Sequence, residues 1–107
     1  MDILGELHAV QRLHLLATEP GGEHLHREYL VRRAAVLDRL ADDPQAPVWA
    51  IEHIADADSY ARDLLAHDLI HSTGCGPVPA DADCWTDSPR GYARQEHRAW
   101  VLAHDIP

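Results

Sequence analysis

The stretch EHLHREYLVRRAAVLDRLA, residues 23–41, decides the fold. Leu30, Ala34, Leu37 and Ala41 recur at helical spacing and make one stripe, which Leu25, Tyr29, Val36 and Leu40 widen. Arg27, Arg32, Arg33 and Arg39 flank it. Working back, Thr18-Glu19-Pro20-Gly21-Gly22 ends an earlier helix over about residues 2–17. Asp2 is its N-cap, and Ile3, Leu7, Val10, Leu13 and Leu16 share one face. Working forward, Asp42-Asp43-Pro44-Gln45-Ala46-Pro47 breaks the chain, and Pro47 suits the first turn of a third helix over about residues 47–72.

Ile51, Ile54, Ala55, Ala61, Leu64, Leu65 and Leu69 supply the inner face of that helix. Asp58 and Arg62 form an i,i+4 pair in the favourable order. Gly74 is placed as the residue just past the helix end, and Gly76-Pro77-Val78-Pro79 prevents continuation. A loop then runs to Trp85. Asp87 or Ser88 caps a fourth helix that Pro89 opens, over about residues 88–104, with Tyr92, Glu96, Ala99, Trp100 and Ala103 along one side. No segment alternates with the period of a strand. The expectation is an all-α fold, a single compact four-helix domain spanning residues 1–107.

The composition limits function. The 107 residues are 46% hydrophobic, ordinary for a globular chain, and no apolar run is long enough for a bilayer-crossing helix. Residues 1–6 have no basic n-region, so a secretory signal is not expected; a cytoplasmic setting with reduced Cys75 and Cys84 is. All nine basic residues are Arg, and there is neither Lys nor Phe, the codon bias of a GC-rich genome. The net charge of −9 argues against sequence-independent nucleic-acid binding, which needs cations on phosphate, and equally disfavours an anionic membrane. Charge is also segregated. Residues 42–68 hold seven acids and one Arg, whereas the second and fourth helices each come out at +1, so the acidic helix is expected beside the Arg-bearing ones.

Nine histidines are the unusual count. His67 and His71 stand at i,i+4 near a helix end, Cys75 follows four residues on, and Cys84 can fold back across the Gly-Pro loop. Two imidazoles and two thiols are the donor set zinc prefers in a tetrahedral site. The alternative is two loop thiols that pack as small apolar groups. His24-x3-Glu28 and His67-x3-His71 resemble part of the hemerythrin di-iron pattern, but the His-x4-Asp that family places afterwards is missing; His53 to Asp58 comes too early.

Arg90, Arg94 and Arg98 form an i,i+4,i+8 stripe. It reads either as an anion or acidic-partner face or as pairing with Asp56, Asp63 or Asp68. Trp85, directly before a cap, is a lid over the entry to the fourth helix or an interface anchor. No catalytic set emerges: Ser59, Ser72 and Ser88 lack a nucleophile-elbow context, and a thiolate at a helix C-terminus is disfavoured by the dipole.

Residues 29–41 (YLVRRAAVLDRLA) and 87–96 (DSPRGYARQE) resemble small all-helical proteins of unassigned function from high-GC Gram-positive bacteria. The resemblance implies a helical cytosolic protein and brings no activity with it. The reading is a non-enzymatic protein-interaction or regulatory module, self-associating as a homodimer or held in a partner's groove. Leu4, Leu15 and Leu16 support it, because they exceed a single stripe on the first helix. The alternative is a zinc-binding protein built on His67, His71, Cys75 and Cys84; otherwise no cofactor is expected.

Overall fold

A computed structural model describes residues 3–45 and 56–105. Among them are four α-helices and no strand: α1 (Ile3–Thr18), α2 (His26–Asp42), α3 (Ala57–His71) and α4 (Pro89–Asp105). Short 3-10 turns, Glu23–Leu25 and Asp83–Trp85, precede α2 and α4. The all-α architecture is therefore as the sequence predicts. The Asp2 cap and the part of the third helix placed over residues 47–55, with Trp49, Ile51, His53 and Ile54, lie outside the described residues.

The central element is α2, which packs against α1, α3 and α4. Its stripe is wide because it has neighbours on several sides, and Tyr29, Leu30, Val31, Ala34, Ala35, Val36, Leu37 and Leu40 are all buried. From α1 come Val10 and Leu13, from α3 Ala57, Ala61 and Leu64, from α4 Tyr92 and Ala93. Ala34, Ala61 and Ala93 are fully excluded from solvent. Such small side chains let helix axes approach toward the short end of the roughly 8–10 Å packing range.

Two features bend the chain between elements. Between α1 and α2, Gly21 takes φ +87°, and Gly22 lies so near Leu16 that a Cβ there would overlap the Leu16 carbonyl oxygen. At the end of α3 the left-handed residue is Ser72, at φ 54° and ψ 45°, and not Gly74. Gly74 is needed for a different reason: a Cβ there would come within 2.9 Å of the Tyr92 hydroxyl. The missing side chain lets the loop approach α4 beside the site described next.

Candidate functional site

The buried faces of α3 and α4 each carry an acid. Ala57, Ala61, Leu64 and Asp68 follow one another along the inner side of α3, and Tyr92, Ala93, Glu96 and His97 along that of α4. Asp68 and Glu96 are only 1% exposed. Both are matched by Arg27, which leaves α2 one residue after its start. Its Nε donates to Asp68 Oδ1 at 2.9 Å, and its Nη2 donates to Asp68 Oδ2 at 2.8 Å and to Glu96 Oε1 at 2.7 Å.

One guanidinium does not balance two buried carboxylates, so neutral donors complete the shell. Asp68 also accepts from Thr73 Oγ1 at 2.6 Å and from the Tyr92 hydroxyl, with His67 Nδ1 at 3.3 Å. Glu96 accepts the backbone N–H groups of Cys75 at 2.7 Å and Gly76 at 2.9 Å, and Gln95 Nε2 at 2.9 Å. Burial pushes the Asp68 carboxyl up, but the bonds from Arg27, Thr73, Tyr92 and His67 outweigh it and hold the group well below the usual carboxylate range. Burial and the neighbouring Asp68 push the Tyr92 phenol far up. The hydrogen bond to Asp68 raises Arg27 further above its ordinary value, against the opposing effect of burial.

Over this network lies a row of rings contributed by three helices. His14 of α1 stacks on Tyr29 of α2 with centroids 4.6 Å apart. Tyr29 lies 6.4 Å from His26, His26 lies 5.5 Å from His67 of α3, and His67 lies 4.5 Å from His71. His26 is exposed, yet partial desolvation against its neighbours lowers its pKa, and the nearby His67 and Arg33 add to this. A surface cavity of about 520 Å3 opens here, with Glu23, His24, His26, His67 and His71 in its lining.

The structure thus brings two of the four residues read as a zinc set together and not the others. His67 and His71 are in ring contact. Cys75 is exposed, and its thiol donates to the Thr73 carbonyl at 3.5 Å. Cys84 is exposed in the 3-10 turn Asp83–Trp85. As the side chains stand, no group of three or more His, Cys, Asp or Glu among the described residues is placed to hold a metal ion. Of the other pair, Glu28 accepts from Arg32 at 3.1 Å and His24 lies in the turn before α2.

Two members of the arginine stripe face α2 rather than α3. Arg90 Nε donates to Asp38 Oδ1 at 2.6 Å, and Arg94 reaches both Asp38 oxygens, at 2.8 and 2.9 Å. Asp42 accepts from both arginines at the rim. Arg98 is exposed. Trp85 sits over the first turns of α4. Its Nε1 donates to the Pro79 carbonyl at 2.9 Å, and its ring meets Tyr92 edge-on at 5.5 Å.

Neither the stripe reading nor the zinc reading joined Arg27 to Asp68 and Glu96. The cue was present: Glu96 falls on the same side of its helix as Tyr92 and Trp100, an acid inside an otherwise apolar line, and buried acids need partners. No family model, no curated protein and no solved structure matches the chain.

Proposed function

We propose that the chain is a non-enzymatic interaction module that self-associates through the outer face of α1. The observation that carries the reading is the two-sidedness of this helix. Val10 and Leu13 point into the core, while Leu15 is 67% exposed and Leu16 44%. Leu4, His8, Gln11 and Leu15 fall at i, i+4, i+7 and i+11, so they share one row. The first three of them line a groove of about 530 Å3 together with Leu7, Tyr29 and Tyr60. Exposed apolar surface of this kind on a small domain marks an association site.

The proposed occupant is a second copy. In a chain of net charge −9, copies repel one another over most of their surface. The helix α1 carries only two charged side chains, Glu6 and Arg12. Glu6 is already held by Arg32, at 2.7 and 3.1 Å. Two α1 helices can therefore meet with little acid facing acid, in an isologous contact.

The test is sedimentation or light scattering across a wide concentration range. The expected result is a dimer that Leu15→Glu converts to monomer while the helical circular dichroism is unchanged. A wild-type chain that stays monomeric at high micromolar concentration overturns the proposal.

A further inference from the structure

We infer that His26, His67 and His71 form a binding site for a divalent transition-metal ion of the zinc, copper and nickel type. The site keeps the two histidines in ring contact and replaces the thiols with a third imidazole from the start of α2.

The spacing of the rings fits. A coordinated imidazole nitrogen lies about 2.0–2.1 Å from zinc, which puts the ring centroid roughly 3.2 Å from the ion and two centroids about 5 Å apart at a tetrahedral angle. The middle ring stands on either side of that value from its two neighbours, 5.5 Å from His26 and 4.5 Å from His71; His26 and His71 are each in ring contact with His67. The three rings border one open cavity whose lining also includes His24 and Glu23, a fourth imidazole and a carboxylate, with Arg27 beside them. A site of this kind leaves a position for water or a further ligand.

The middle ring is already oriented. His67 Nδ1 lies 3.3 Å from Asp68 Oδ1, and Asp68 is itself fixed by Arg27, Thr73 and Tyr92. Donation from Nδ1 to that carboxylate selects the tautomer whose Nε2 keeps its lone pair, the outer-shell arrangement common behind metal-bound histidines. The outer two rings are not yet aimed at a common point. Both His26 and His71 are exposed, and exposed side chains change rotamer within nanoseconds, so the ion itself can gather them. The nearby cations are committed elsewhere, Arg27 to Asp68 and Glu96, Arg33 to Asp63 and the face of Tyr60. The thiol of Cys75, turned to the Thr73 carbonyl, has no part in the site.

The test uses the full chain purified without an affinity tag and titrated with Zn2+ against a chromophoric chelator. Wild type is expected to bind about one equivalent. His26→Ala and His71→Ala, both at exposed positions, should each weaken binding by about tenfold or more, at least what loss of an outer-shell partner costs. The double variant Cys75→Ser/Cys84→Ser should bind as wild type does. Cobalt loaded in place of zinc should show ligand-field bands and no thiolate charge-transfer band. Binding below roughly a tenth of an equivalent, wild-type affinity in either histidine variant, or a thiolate band in the cobalt spectrum would each overturn the three-histidine site. The cobalt spectrum is read on the wild-type chain, so it stands whether or not any variant folds.

Discussion

Asp68 and Glu96 share one nitrogen: Arg27 Nη2 lies 2.8 Å from the first and 2.7 Å from the second, although the two acids sit on different helices. Both carboxylates are closed to solvent, and Arg27 is the only arginine bonded to either of them among the described residues. Replacing it with Met should destabilise the fold by about 3–5 kcal/mol, the cost of leaving a buried charge without its partner. Arg27→Lys should recover only part of this, because an ammonium cannot donate from two nitrogens in a plane. Urea unfolding followed by circular dichroism checks both; a loss under about 1 kcal/mol for Arg27→Met would contradict the role assigned to the network.

Tyr92→Phe removes one neutral donor from Asp68 and leaves the guanidinium in place. The expected cost is about 1.5–3 kcal/mol, that of a hydrogen bond to a charged group. It should be smaller than for Arg27→Met. If the two costs rank the other way, the phenol and not the arginine is the main partner.

Acid should act on stability in two windows. His97 is 8% exposed, and burial, with Arg39 nearby, lowers its pKa below 6.5. The unfolded chain then binds more protons than the folded one as pH falls below about 6.5, so stability declines from there. Asp68 also has a lowered pKa, from an ordinary value of 3.8. Its contribution is complete above that value and is lost as pH falls toward its folded pKa. Melting temperatures between pH 8 and pH 3 should fall in both windows; His97→Gln should shrink only the upper one, where the lowered His26 contributes in the same direction. A profile flat from pH 7 to pH 5 in wild type would refute the first window.

Arg90 and Arg98 lie on one helix, eight residues apart, yet should behave differently. Arg90 and Arg94 hold Asp38, whose side chain is 8% exposed, whereas Arg98 is exposed. Arg98→Ala should change stability by less than about 0.5 kcal/mol, as surface substitutions do. Asp38→Ala, which unpairs both arginines and empties a nearly closed position, should cost roughly 1–3 kcal/mol. Thermal unfolding of the two variants side by side decides; equal values would mean that the Asp38 cluster adds nothing beyond a solvated face.

The helices were legible because their signals are local. The stripe over residues 23–41 and Pro89 after Ser88 each need only a window of a turn or two. Pairings between helices depend on rotation and register, which no such window contains. The stripe Arg90, Arg94, Arg98 suggested acids on the third helix, but α4 turns its arginines to Asp38 and Asp42 of α2. That partner pair has the same i,i+4 spacing as Arg90 and Arg94, a complement written in the sequence but visible only once the two helices are set side by side. In the same way His67 and His71 could be paired by spacing, whereas His26 joins them only through the packing of α2 on α3.

The two backbone amides bound by Glu96 should give the connection after α3 slow exchange. Cys75 and Gly76 belong to no helix, and amides in such surface stretches ordinarily exchange with solvent through small local openings. Here their acceptor is a carboxylate closed to water and fixed from behind by Arg27. Breaking either bond leaves a buried carboxylate short of a donor, which opposes local opening of the loop. In hydrogen–deuterium exchange these two loop amides should keep their protons as long as the interior of α2 does.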